Sequence, residues 1–108
     1  MAETLALIDY GAGNLRSVAN ALKAAGATGV VTTANPAIIA AADRIVLPGV
    51  GAFGACINGL RAIDGLVDAL EARVRGDGVP FLGICVGMQL LAAWGEEHGR
   101  HQGLGWIN

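Results

Sequence analysis

Short apolar runs alternate along this chain with longer stretches in which apolar positions recur every three or four residues. Leu5-Ala6-Leu7-Ile8 is a continuous apolar run, the pattern of a strand buried on both faces. It ends in Asp9-Tyr10-Gly11-Ala12-Gly13-Asn14, where the glycines mark a tight loop. Asn14 or Ser17 is placed to cap a helix reaching about Ala25, with Leu15, Val18, Ala19, Leu22 and Ala25 on one face. Gly26 closes that helix as a left-handed terminator. Gly29 to Thr33 is a second strand, and Asn35-Pro36 opens a short helix through Ala41, with proline at its favoured early position. Arg44-Ile45-Val46-Leu47 is a third strand, broken by Pro48-Gly49-Val50-Gly51. Helical segments run to Leu60 and from Asp64 to Arg75, with Leu66, Val67, Leu70 and Val74 at helical spacing. Gly76-Asp77-Gly78 turns the chain into a fourth strand, Val79 to Leu82, and Leu90 to Trp94 reads as the start of a buried helix. The last residues, Gly103 to Asn108, read as entering another strand, with Leu104, Trp106 and Ile107 as uncovered apolar surface.

Strand followed by helix, four times over, predicts an α/β domain with a parallel sheet. Ligands of such sheets bind beyond the carboxyl ends of the strands. That rule places Asp9 to Asn14, Pro48 to Gly51 and Cys85 along one rim, and these are also the loops richest in glycine.

Bulk properties narrow the field. The 108 residues suit one domain or a piece of one, and 54% hydrophobic residues supply ample core. Aromatic residues make up only 5%, so the core is aliphatic. A formal net charge of -2 without any basic cluster argues against a nucleic-acid or anionic-membrane partner. Two cysteines do not make a disulfide framework, the first apolar segment is too short to span a bilayer, and no secretory signal opens the chain. The compartment reads as reducing and cytoplasmic.

The most informative chemistry lies in Gly83-Ile84-Cys85-Val86-Gly87-Met88-Gln89. Gly-x-Cys-x-Gly between a strand and a helix is the cysteine form of the nucleophile elbow. A sharp turn strains the central residue and projects its side chain above the sheet edge, while small neighbours let other backbone approach. The free N–H groups of the following helix favour a thiolate. Cys85 is therefore the candidate nucleophile. Cys56, in mid-helix without flanking turn or glycine pair, reads as core filler. The glycine-flanked loop Pro48-Gly49-Val50-Gly51 is able to present backbone N–H groups to a developing oxyanion; an ordinary strand-end turn is its bland alternative.

Other constellations carry less. Gly11-Ala12-Gly13 lacks the third glycine of a dinucleotide fingerprint, because Arg16 stands in its place, so no cofactor is expected. His98 and His101 sit in a charged, glycine-broken stretch that reads as a solvated loop. No further histidine or suitable cysteine pair exists to complete a zinc site, so no metal is expected.

Asp9-Tyr10-Gly11-Ala12-Gly13-Asn14, Pro48-Gly49-Val50-Gly51-Ala52-Phe53 and Gly83 to Gln89 together resemble the class I glutamine amidotransferases in order and spacing. Within that class these loop variants, with Gly105-Trp106, look like the glutaminase subunits of imidazole glycerol phosphate synthases. The resemblance implies a flavodoxin-like, three-layer α/β/α fold with a mostly parallel sheet, here the N-terminal portion, residues 1–108, of a single truncated domain. It implies hydrolysis of glutamine to glutamate and ammonia, with Cys85 forming a glutamyl thioester. Val86 N–H and the backbone of Gly49, Val50 and Gly51 match the oxyanion and substrate strand, and Gln89 matches a residue that contacts bound glutamine. It implies as partner a (β/α)8-barrel cyclase subunit that receives the ammonia for histidine biosynthesis, docked near Tyr10 to Asn14 and Arg16. The family's histidine and glutamate come late in its domain, and neither His98 nor His101 sits in the matching motif, so these 108 residues alone are expected to be inactive. Two other readings stand beside this one: another cysteine-dependent class I amidotransferase or DJ-1-like α/β enzyme, and a non-catalytic α/β interaction module.

Overall fold

The computed structural model describes residues 3–11, 14–96 and 99–107. Four parallel strands form the central sheet: β1 (Leu5–Ile8), β2 (Val30–Thr33), β3 (Arg44–Leu47) and β4 (Phe81–Gly83), in the order β2-β1-β3-β4. The register sets Leu5 opposite Val30 and Arg44, and Val46 opposite Leu82. β1 is buried along its whole length, as its unbroken apolar run requires of a strand covered on both faces.

Side chains alternate between two cores, as a two-residue period dictates. Ala6, Ile8, Ile45 and Leu47 point to the larger core, which α2 (Pro36–Ala40), α3 (Phe53–Ala62) and α4 (Leu66–Leu70) cover. Leu5, Leu7 and Val46 point the other way, onto Leu15, Val18, Ala19 and Leu22 of α1 (Leu15–Ala24). The result is the expected α/β/α layering. The layers are unequal, because no residue of α1 is fully buried whereas α3 buries Phe53, Gly54, Cys56, Ile57 and Leu60.

Local signals explain the boundaries. The Asn14 side chain accepts from Ser17 N–H at 3.2 Å and starts α1; the helix ends at Ala24, with Ala25 exposed as its cap and Gly26 at φ 100°. Asn35 caps α2 in the same way, accepting from Ala37 N–H at 3.0 Å. The fourth strand begins later than its apolar run, because Pro80 has no N–H and only its carbonyl joins the ladder, accepting from Ile45 at 3.0 Å.

Four stretches differ from expectation. The helix expected from Asp64 to Arg75 is α4 followed by a π-helical segment, Glu71–Gly76. The wider turn keeps Val74 packed on the core while Arg73 Nε donates to the Ala42 carbonyl at 2.7 Å. The buried helix expected at Leu90 to Trp94 is absent: α5 is a single turn, Val86–Gln89. Carbonyls that a longer helix would use are taken instead by the chain's last described residues. Leu104 N–H donates to Leu90, Gly103 N–H to Ala93 and Trp106 N–H to Leu91, at 2.7 to 2.8 Å. Beyond α5 the chain forms an antiparallel pair, β5 (Trp94–Gly95) with β6 (His101–Gln102). His101 thus lies in a strand rather than a loop, partly buried against Gly54, and His98 lies outside the described residues.

The final segment is also better covered than its pattern suggested. Leu104 and Trp106 pack against the larger core, Trp106 edge-on to Phe81 with ring centroids 5.2 Å apart, and only Ile107 stays exposed. Its single bridge, Ile107 to Ala92, is parallel. Among the described residues no helix is long and apolar enough to cross a membrane.

Candidate active site

The parallel arrangement brings the loops after β1, β3 and β4 to one rim, as the strand order requires. Backbone hydrogen bonds stitch two of them together. Ile84 N–H donates to the Leu47 carbonyl at 2.9 Å, and Val86 N–H donates to the Gly49 carbonyl at 3.2 Å. The third loop joins through Tyr10, whose hydroxyl donates to the Pro48 carbonyl. Gly13 and Ala12 of that loop lie outside the described residues.

At the centre stands Cys85, with φ 55° and ψ -122°. Among the described residues it alone has a positive φ without being glycine. Those angles belong to the first central residue of a type II′ turn, a place glycine normally takes, and Gly87 N–H closes the turn onto the Ile84 carbonyl at 2.9 Å. Holding a side chain there costs about 1–3 kcal/mol and persists only where the surroundings impose it. Here they do. A Cβ on Gly87 would stand 2.0 Å from the Leu47 carbonyl oxygen, and one on Gly83 would stand 2.7 Å from Met88 Cα. Both glycines flanking the turn are required by backbone contact, so the Gly-x-Cys-x-Gly spacing has a steric cause.

The thiol of Cys85 is free and exposed, in contrast to the buried Cys56. An exposed, strained cysteine at a strand-to-helix turn has the geometry of a nucleophile. Helical support for a thiolate is weaker than the sequence suggested, because α5 is four residues long. Among the described residues no histidine or carboxylate hydrogen-bonds to the Cys85 sulfur.

The other expected site residues lie on loop 48–51 and on α5, to either side of the Val86–Gly49 hydrogen bond. Gly49 is buried and wedged: a Cβ there would lie 2.7 Å from Gly87 N and 2.8 Å from the Tyr10 hydroxyl. Val50 and Gly51 are exposed, Gly51 with φ 87°. Val86 is half-buried in the first turn of α5, and Gln89 is exposed at its end. The rim is open to solvent over Val50, Cys85 and Met88.

Tyr10, expected on the rim and near the partner, and Cys56, expected as core filler, both hydrogen-bond to loop 48–51. Tyr10 is buried, and its burial, reinforced by the charge and hydrogen bonding of Cys56, pushes the phenol well above the usual tyrosine range. It therefore stays a protonated donor. Cys56 Sγ–H donates to the Val50 carbonyl at 3.2 Å. A lone tyrosine beside a glycine-rich loop was a visible signal for the first; nothing in the sequence marked the second.

Residues 6–102 match the family described as glutamine amidotransferase class-I. The chain is 66% identical over 106 residues to imidazole glycerol phosphate synthase subunit HisH of Zymomonas mobilis, covering 96% of this chain and 50% of that protein. It is 56% identical over 108 residues to the protein of that name from Rhodospirillum rubrum, covering 95% of this chain and 50% of the relative. With the one from Caulobacter vibrioides it shares 53% identity over 110 residues, covering 97% and 51%. The chain thus spans about half the length of the curated relatives it matches.

Proposed function

This chain belongs to the class I glutamine amidotransferase family, and from that premise we propose that it is the N-terminal portion of a glutaminase subunit of imidazole glycerol phosphate synthase. The observation that carries the reading is Cys85 held at positive φ on the rim shared with loop 48–51.

In this reading the Cys85 thiolate attacks the side-chain amide carbon of glutamine. The carbonyl π electrons move to oxygen, giving a tetrahedral oxyanion. Its collapse expels ammonia, once the nitrogen gains a proton, and leaves a glutamyl thioester. Water then attacks the thioester carbon, releasing glutamate and returning the thiol. Backbone N–H groups of Val86 and of loop 48–51 hold the oxyanion in both tetrahedral steps. Val86 N–H is engaged by the Gly49 carbonyl, so that carbonyl has to turn away before the amide reaches substrate. Gln89, exposed on the rim, contacts the bound glutamine. The proton acceptor for the thiol and donor for the ammonia is a histidine, oriented by a glutamate, from chain other than these 108 residues.

Ammonia leaving the site passes to a (β/α)8-barrel cyclase subunit in the cytoplasm, which uses it to form imidazole glycerol phosphate and an aminoimidazole carboxamide ribotide in histidine biosynthesis. The partner docks against the strand carboxyl ends, beside the loop after β1 and the exposed Arg16, because ammonia has to leave without meeting bulk water. The relatives are themselves named as subunits, which supports an assembly.

The decisive experiment uses the full-length protein with its cyclase. Cys85→Ala is expected to lower glutamine-dependent synthesis at least about 10³-fold. Synthesis from added ammonium salt is expected to be unchanged. Retention of glutamine-dependent turnover in the variant would remove Cys85 as nucleophile.

A further inference from the structure

Three successive carbonyls of loop 48–51 are tied to three different parts of the molecule. Pro48 accepts from the Tyr10 hydroxyl, Gly49 from the Val86 amide at 3.2 Å and Val50 from the Cys56 thiol at 3.2 Å. The three ties are not equivalent. Val86 N–H is an amide the proposed reaction needs for itself. Tyr10 and Cys56 are buried side chains with no other part in the chemistry, 6% and 2% exposed. Both reach the loop from the core side. Tyr10 is set over α3, where a Cβ on Gly59 would lie 3.1 Å from its carbonyl oxygen, and Cys56 projects from α3 itself. Neither tie depends on the elbow.

We propose that the Tyr10 hydroxyl and the Cys56 thiol are positioning groups that pin loop 48–51 beside Cys85, so that its amides stay within reach of the oxyanion when the Gly49 carbonyl releases Val86. The proposal rests on the glutaminase reading. Its physical basis is simple: a glycine-rich loop that gives up one of three anchors keeps its position only through the other two. Without them the loop would explore many conformations, and each tetrahedral step would bear the cost of ordering it. Tyr10 suits the task because its buried hydroxyl meets the Pro48 carbonyl, and a phenol is a donor throughout the neutral range. Cys56 suits it because a thiol fits an apolar helix face yet retains one donor.

The test compares the full-length protein with Tyr10→Phe, Cys56→Ala and Cys56→Ser. Phenylalanine keeps the ring and removes only the hydroxyl; serine keeps a donor where alanine has none. Tyr10→Phe and Cys56→Ala are each expected to lower kcat for glutamine hydrolysis about three- to tenfold, the range of a neutral hydrogen bond, with KM changing less. Cys56→Ser is expected to recover most of the loss. Alkylation of Cys85 by iodoacetamide should proceed at the parent rate in all three, since the elbow is untouched. Amide exchange at Val50 and Gly51 should quicken in Tyr10→Phe and Cys56→Ala and not in Cys56→Ser. Parent-like kcat in both donor-deleting variants would overturn the proposal, as would a Cys56→Ser variant no better than Cys56→Ala. Should the parent itself hydrolyse no glutamine, the glutaminase reading fails instead, and unchanged exchange at Val50 and Gly51 in Tyr10→Phe would then dispose of the clamp separately.

Discussion

Cys85 is held in a backbone conformation unfavourable to any side chain, which bears on stability as well as on reactivity. At φ 55° its Cβ crowds the backbone, which costs about 1–3 kcal/mol, whereas glycine occupies the same angles freely. Glycine also gains about 0.5–1 kcal/mol of disorder in the unfolded chain, which opposes the relief. Relief is the larger effect. Cys85→Gly is therefore expected to be more stable than Cys85→Ala by about 1 kcal/mol, although both lack the thiol. Urea midpoints of the two variants check this; a glycine variant less stable than the alanine one would mean the turn carries no strain. Tyr10 gives a second prediction, in pH. Its folded pKa is raised, first by burial and then by Cys56, so the unfolded chain is the first to lose the phenolic proton, at about pH 10. Above that pH the folded state binds more protons than the unfolded one, and stability falls as pH rises. The contribution is fully present below about pH 10 and is lost above it, with a slope of up to about 1.4 kcal/mol per pH unit. Tyr10→Phe should remove that slope, which denaturation at several alkaline pH values would measure. Tyr10 is the one tyrosine of these 108 residues, so its phenolate absorbance reports the same titration directly.

Elements governed by local signals were legible in the sequence, and elements governed by distant ones were not. β1 follows its apolar run residue for residue, and β3 follows its own after an exposed Arg44, because a strand segment buried on both faces needs apolar side chains. α1 and α2 start at asparagines whose side chains cap them, a signal contained in a few consecutive residues. The elbow was legible for the same reason: the contacts that forbid a side chain at Gly83 and Gly87 leave glycine at fixed spacing around the cysteine. The helix after Gln89 failed as an expectation because its fate is settled by residues 103–106, well outside a local window. Leu90 to Ala93 have good helical composition, but their carbonyls meet the N–H groups of Gly103 to Trp106, a crossing no local window reveals. The π-helical segment is similarly hidden, since it answers to Ala42 across the core. The clamp on loop 48–51 was hidden for two reasons. Tyr10 meets Pro48 from 38 positions away, and Cys56, only six residues after Val50, has the sequence context of filler.

At the scale of the molecule the two faces of the sheet are unequally protected, and this governs how the 108-residue polypeptide should behave in solution. One face lies under α2, α3, α4 and the π-helical segment; the other, among the described residues, has only α1 as a covering helix. Beside α1 an apolar groove of about 330 Å³ opens between Val18, Ala21, Leu22 and Ile84. A second, of about 200 Å³, runs along Leu5, Leu22, Val46 and Leu82. Leu82 is 53% exposed and sits on β4, which is an edge of the four-stranded sheet and leaves backbone groups unpaired. Apolar surface continuous with an open strand edge favours pairing with another copy. The 108-residue polypeptide is therefore expected to form oligomers at micromolar concentration, and Leu82→Lys, which puts a charge on that edge, to shift it toward monomer. The same polypeptide is expected to hydrolyse no glutamine above background in either state, since among the described residues no base hydrogen-bonds to Cys85 and the thiol has no proton path. Light scattering and a glutaminase assay on the same samples test both expectations. A monomeric parent would show that the groove is not adhesive, and measurable turnover would show that a proton acceptor lies within these residues after all.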